Sequence, residues 1–455
     1  MNMKAGWNFC GKFWRTLVTP LLNRLILCFL LLPIPESGFA QEYEYQEDVT
    51  GFKEGDIIGF DQVELLKPYI PQEFWAHRHF FFFEGMQLEV GPPFRDYSNP
   101  PEFKAVTERF KGQARIGPEG SLENYTAGEP FPMGEIDCLG DPQAGSKIIW
   151  NFDLQWSGDG ARGHFLYTYF DRGEQLNLYY QGNAKNIEMT GRIEPRYLDK
   201  NGGDIFKNDP KQRVLGIEVK EPFSARGLAA INYRYKAARN PPAQIKYDDT
   251  WIYQPDARRV RRFSTKERAD AISGTDFSFD DLRSFSGIVP HYTWSCLGEM
   301  ILMAPMNTKQ RAHPYSDDVN FGPFGLSYAN DRWEMRHAVL LRSVPIEPDH
   351  PYTRKDIYVD KETLTPLYSL AYDRKGELWK LIWHNHRWSE DEPEWYEGWE
   401  GVQRPRDLRV ISDIIANAQT GTGNRIEFYD MHGTPFDKKG KIRRYIDIGR
   451  LSQGR

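Results

Sequence analysis

The chain of 455 residues has only four cysteines and no apolar run long enough to cross a bilayer as a helix. Spanning the ~30 Å hydrocarbon core takes about 20 apolar residues, whereas the run from Leu25 to Leu32 stops at Pro33-Ile34-Pro35. An excess of one charge is also missing. Lys and Arg number 58 against 64 Asp and Glu, a net of −6 with both signs interspersed, which argues for neither nucleic acid nor an anionic surface as partner. The sequence lacks a nucleophile elbow, a phosphate-cradling glycine loop and a zinc signature, and it shows no period of roughly 20 to 50 residues of the kind that marks propellers and solenoids. No nucleophile-base set or carboxylate pair can be read from spacing. The expectation is a protein with no catalytic residues, no metal and no cofactor. A hydrolase of unrecognised type and an envelope scaffold without a ligand of its own are the alternatives.

What is present begins with a leader. Lys4, Lys12, Arg15 and Arg24 precede the apolar run, and Gly38-Phe39-Ala40 supplies the small residues of a signal-peptidase site. Cleavage after Ala40 is expected, leaving a soluble periplasmic protein over 41–455. Cys28 lies inside the apolar run and Cys10 before it, neither in the place of a lipid-anchoring cysteine. Two cysteines, Cys138 and Cys296, then remain in an oxidising compartment. A bridge between them and two separate buried thiols are both open.

Aromatics make up 14% of the chain, and with abundant polar and turn residues they suit strands with one wet face. Residues 41–141 are irregular, with helical pieces at Asp61–Leu66 and Pro101–Phe110, and read as a wrap or lid. Strand-like runs follow at His164–Phe170, Gln175–Gln181, Val214–Val219, Leu228–Tyr235, Leu297–Met303, Glu334–Leu341 and Asp356–Asp360. Hairpin signals lie at Asp171-Arg172-Gly173 and Asp373-Arg374-Lys375-Gly376. Ser278-Phe279-Asp280-Asp281 carries a capping box with Leu282 and Phe285 on the apolar side, which predicts a helix crossing the sheet. The fold class is β-rich α+β: a large curved antiparallel sheet, an incomplete barrel, covered by a few helices. An apolar ligand fits between such a sheet and its cover.

Several stretches resemble the domain-of-unknown-function family 1329 of Gram-negative bacteria. They are Ala127-Gly-Glu-Pro-Phe-Pro132, Asp141-Pro-Gln-Ala-Gly-Ser-Lys-Ile-Ile-Trp-Asn151, Trp251-Ile-Tyr-Gln-Pro-Asp-Ala-Arg-Arg-Val-Arg-Arg-Phe263, Gly274-Thr-Asp-Phe-Ser-Phe-Asp-Asp-Leu282 and Asp356-Ile-Tyr-Val-Asp-Lys-Glu-Thr-Leu364. The tyrosine-proline-arginine strand within Trp251–Phe263 and the following Gly-Thr-Asp segment are also similar to outer-membrane lipoprotein-sorting proteins of the LolA/LolB-like superfamily. The resemblance implies a half-barrel closed by helices around an apolar cavity. It further implies a periplasmic carrier of a lipid or other hydrophobic molecule, working beside an inner-membrane exporter or an outer-membrane protein. It supplies no catalytic motif.

The candidate ligand or partner residues are Phe81, Phe83, Trp251, Tyr253, Arg259, Arg261, Leu282 and Phe285. Phe80 to Phe83 is an aromatic run that packs a lid, lines a cavity or contacts a membrane or partner. Arg258, Arg259, Arg261 and Arg262 form the densest basic cluster; on a strand Arg259 and Arg261 share a face. They either meet an anionic group through bidentate bonds or pair with Asp256, Asp280 and Asp281. His384 with His386, and His77 with His79, have two-residue spacing without a third metal ligand in view. The acidic run Glu390-Asp-Glu-Pro-Glu394 reads as a solvated loop or a calcium or partner site.

Overall fold

The computed structural model describes residues 51–171, 176–237, 246–263, 268–309, 321–391, 406–433 and 438–453. The leader assigned to residues 1–40 lies outside them. The strands are β1 (Ile57–Ile58), β2 (Leu88–Val90), β3 (Arg115–Ile116), β4 (Leu122–Glu123), β5 (Gly160–Phe170), β6 (Leu176–Glu188), β7 (Lys211–Glu221), β8 (Ala229–Tyr235) and β9 (Asp249–Gln254). They continue with β10 (Arg259–Phe263), β11 (Tyr292–Pro305), β12 (Arg332–Pro345), β13 (Arg354–Asp360), β14 (Pro366–Tyr372), β15 (Leu378–Trp388), β16 (Leu408–Asn417) and β17 (Gly423–Gly433). The helices are α1 (Gln72–Ala76), α2 (Pro101–Phe110), α3 (Ala144–Asp153), α4 (Pro195–Asn201) and α5 (Lys439–Tyr445).

All strands but the β3–β4 pair join one 15-stranded sheet. Two antiparallel meanders, β5 to β10 and β11 to β17, lie side by side because β17 pairs with β5, Ile426 opposite Tyr167. Among the described residues the outer strands β10 and β11 pair only with β9 and β12, so the barrel is left open. β2 lies parallel to the start of β12, which makes the sheet mixed. The hairpin expected at Asp373–Gly376 forms, closed by the Gly376 amide on the Asp373 carbonyl at 2.9 Å. Residues 172 and 173 of the other expected hairpin lie outside the described residues.

Side chains alternate between the two faces of a strand, and different segments cover each face. Residues 57–97 cover one face of the second meander. There Leu66, Phe74, Phe81 and Leu88 pack with Tyr358, Tyr368, Leu370, Leu381 and Trp383, all buried. The opposite face carries Val339, Leu341, Ile357 and Val359, packed under α3 with Phe285, Ile288 and Val289. It continues through Ile382, Ile415, Ile426 and Tyr167, where Phe277 covers it. The N-terminal segment and the β10–β11 connection therefore do not close over one shared cavity, as a single lid would.

Two features fix these layers. A disulfide joins Cys138, in the loop before α3, to Cys296 on β11, with Cα atoms 5.3 Å apart. A Cβ on Gly145 of α3 would stand 2.6 Å from the Ser295 amide nitrogen, so the glycine permits the helix to sit on the β11 backbone. On the other face, the Tyr97 hydroxyl donates to both oxygens of buried Glu334 at 2.8 and 2.9 Å, and the Arg336 guanidinium holds the Arg95 carbonyl at 2.7 Å.

Candidate functional site

The connection from β10 to β11, residues 268–291, crosses the inner face. Ser278 and Asp281 form the expected capping box, but the helix does not continue. Only a 3-10 turn forms over Phe279–Ser284, broken by non-helical Leu282 and Arg283; Arg283 and Ser284 have φ of 53° and 64°. The cause is tertiary. Lys355 Nζ reaches the Asp280 and Ser284 carbonyls at 3.2 and 2.9 Å, which gives these backbone acceptors partners other than helical amides. The Asp281 carboxylate accepts from Lys355 at 2.8 Å, Lys380 at 2.9 Å and the Tyr352 hydroxyl at 2.8 Å. Burial alone would raise the Asp281 pKa, yet the two ammonium groups hold it well below the usual carboxylate range.

Beside this network, Ser284 Oγ contacts His384 Nε2 at 2.6 Å, and His384 Nδ1 contacts Asp413 Oδ1 at 2.6 Å. The order is that of a hydrolytic triad. All three side chains are fully buried, and none lines the two larger cavities described below. Spacing could not reveal the set, since its members stand about 100 and 29 residues apart.

The other sequence-derived candidates do not converge. Phe81 is buried with its ring 4.4 Å from Trp383, and Phe83 is half-buried against the same core. Trp251 packs on Tyr233 at 4.9 Å in a separate cluster. Tyr253 stands between Ala229 and Val260 in the ladder. Phe285 is packed edge-on to Trp294 at 4.8 Å. Leu282 lines a cavity of about 60 Å³ with Leu215, Ile217, Phe263 and Phe279. Arg259 and Arg261 are exposed on the edge strand β10.

Of the two alternatives for the arginine cluster, pairing with Asp280 and Asp281 is not seen among the described residues. Asp280 binds Arg268 at 2.9 Å and Asp281 binds the two lysines, while Arg262 meets Asp249. His386 is buried between the Pro305 and Pro366 carbonyls, each 3.1 Å away. Burial, with His384 beside it, lowers its pKa to about 3, so the neutral ring can donate to only one of them. His77 Nδ1 meets the Glu73 carbonyl at 2.8 Å. No group of three or more metal-ligating side chains occurs among the described residues. Of the acidic run, Asp391 pairs with Arg95 at 2.8 Å, and positions 392–405 lie outside the described residues.

The largest cavity described, about 690 Å³, is one that spacing did not indicate. It lies on the face opposite the β10–β11 connection, between β5–β8 and the segment of α5 and residues 448–453. Cross-strand register builds its floor: Arg162, Lys185, Gly216 and Ile231 form one row, and His164, Asn183, Glu218 and Ala229 the next. Lys441, Arg444, Tyr445, Asp447, Arg450 and Leu451 form the wall. Ile442 of α5 is fully buried against Val214 and Ile231, which seats the wall.

No helix among the described residues is long and apolar enough to cross a membrane. Among curated proteins, an uncharacterized protein of Pseudomonas aeruginosa is 25% identical over 285 residues, covering 60% of this chain and 57% of that protein. The chain thus spans little more than half the length of this relative. Similar solved structures include a putative outer membrane lipoprotein-sorting protein domain from Vibrio parahaemolyticus, at 17% identity and TM-score 0.44, covering 69% of this chain and 100% of that one. A DUF1329 family protein from Desulfovibrio piger matches at 17% identity and TM-score 0.44, over 67% of this chain and 96% of that one. A LolA superfamily protein from Nitrosomonas europaea matches at 13% identity and TM-score 0.35, over 64% and 92%. The family model for proteins of unknown function named DUF1329 matches residues 78–434. On that match, which takes in every strand from β2 to β17, the chain belongs to the DUF1329 family.

Proposed function

We propose that this protein binds a hydrophobic or amphipathic molecule in the cell envelope and acts by burial, without chemistry on its ligand. The observation that supports this most is the cavity of about 690 Å³ between the sheet and the C-terminal segment. Its size is within the few hundred to about 1,000 Å³ typical of small-molecule sites, and Gly216, Ala229 and Ile231 give it an apolar floor. Each methylene moved from water onto such a floor contributes about 0.8 kcal/mol before ordering costs. The location departs from the one expected from sequence, because Phe81 and Phe285 are already filled into cores and only about 60 Å³ remains beside Leu282.

The test is native mass spectrometry and solvent extraction of the protein purified from its own envelope. A co-purifying hydrophobe is the expected result. A protein that carries nothing and takes up no long-chain amphiphile added at micromolar concentration would remove the reading.

A further inference from the structure

Resting on that binding reading, we infer that the ligand of the groove is an anionic amphiphile, with a phosphate or carboxylate head held by basic side chains from the sheet and α5 and a chain lying on the Gly216–Ile231 floor.

The charge around the groove is uneven. Arg162, Lys185, Lys441, Arg444 and Arg450 face it, against Glu218 and Asp447. The acids are engaged: Glu218 with Lys220 at 2.5 Å and Asp447 with Arg450 at 3.8 Å. Among the described residues no ion pair holds Arg162, Lys185, Lys441 or Arg444; Lys185 is half-buried and the other three are exposed. The four lie on three elements: Arg162 on β5, Lys185 on β6, and Lys441 and Arg444 on α5.

Lys185 is the centre of the arrangement. Its stem crosses Gly216, where a Cβ would come within 2.5 Å of its Cε, so the glycine leaves the groove floor open to this side chain. Its ammonium lies 5.2 Å from the centroid of Tyr445 on the opposite wall and is partly stripped of water, burial lowering its pKa while Glu218 pulls the other way. A half-buried cation without a carboxylate partner gains most from a ligand anion, since charge-assisted hydrogen bonds strengthen as water is excluded. A neutral hydrophobe would leave Lys185 and Arg162 covered and uncompensated. The wall, with Lys441 and Arg444, lies beyond the 78–434 matched by the family model, whereas Arg162 and Lys185 of the floor lie within it.

The experiment compares dodecyl phosphate, dodecanoate, dodecanol and inorganic phosphate by isothermal titration on the protein stripped of co-purifying material, all below their aggregation concentrations. Dodecyl phosphate and dodecanoate should bind about tenfold to a hundredfold more tightly than dodecanol, and inorganic phosphate far more weakly than dodecyl phosphate. The double variant Lys185→Met, Arg162→Gln should bring the anionic ligands down to the affinity of dodecanol. Arg259→Gln with Arg261→Gln, on β10 but on the face opposite the Ile231–Trp251–Arg262 row that continues the groove floor, should change nothing. Equal binding of dodecanol and dodecanoate overturns the anionic head while leaving burial of a hydrophobe standing. Inorganic phosphate as tight as dodecyl phosphate overturns the amphiphile, and no binding of any chain overturns both readings.

Discussion

Ser284 Oγ lies 2.6 Å from Nε2 of His384. In a hydrolase the serine of such a pair faces substrate; here it is fully buried at φ 64°, turned into the sheet by the kinked connection. The geometry suits a structural tie between the β10–β11 connection and β15–β16. Ser284→Ala should cost about 1–3 kcal/mol in chemical denaturation. His384→Ala, which leaves the buried Asp413 carboxylate with only the Arg283 amide among its described partners, should cost about 3–5 kcal/mol. A fluorophosphonate probe should leave the protein unlabelled; labelling at Ser284 would restore the hydrolase alternative.

Asp281 neutralises two buried lysines, Lys355 and Lys380. Its folded-state pKa is depressed, so its contribution is complete above the ordinary carboxylate value of about 3.9 and is lost as pH falls below it. Asp281→Asn should lower stability at pH 7 by about 3–5 kcal/mol, and the variant should lose less than the parent on going from pH 5 to pH 2. Thermal melts across that range measure both.

Glu334 behaves in the opposite sense. Burial pushes its carboxyl up to about 7, against the Tyr97 hydroxyl and Arg336, which favour the anion. The folded state therefore holds its proton more tightly than the unfolded chain, and stability drains away as pH rises from about 4.5 to 7. Glu334→Gln keeps an acceptor for Tyr97 and removes this slope, so wild type and variant should draw apart by up to about 3 kcal/mol between pH 5 and pH 8. Parallel stability profiles would show that the carboxyl titrates normally.

Phe81 separates packing from binding. It contacts Phe74 and Trp383 at 5.3 and 4.4 Å, on the second meander and away from the groove. Phe81→Ala should reduce stability by about 3–5 kcal/mol and leave the affinity for dodecyl phosphate unchanged. A drop in affinity without a drop in stability would return this aromatic run to the ligand site.

Local signals carried a large part of the architecture. Turn chemistry at Asp373–Gly376, the helix at Pro101–Phe110 and the capping box at Ser278–Asp281 are set by neighbours within four residues, so they can be read without the fold. Strand existence was equally legible, from His164–Phe170 to Asp356–Asp360. Their lengths were not, because strands buried on both faces lose the alternation that marks their ends; every residue of β14 is buried.

The sequence by itself determined a β-rich chain of meandering strands, its turns and its single capped connection, since these depend on side chains next to one another along the backbone. Only the tertiary structure decided that β17 pairs with β5, that Lys355 takes the carbonyls a helix would need, that Ser284, His384 and Asp413 meet, and that Arg162, Lys185 and Arg444 share one groove. These relations follow from strand order and register over separations of up to hundreds of residues. The densest run of arginines, by contrast, lies on an edge strand facing solvent, because adjacency in sequence sends alternate side chains to opposite faces.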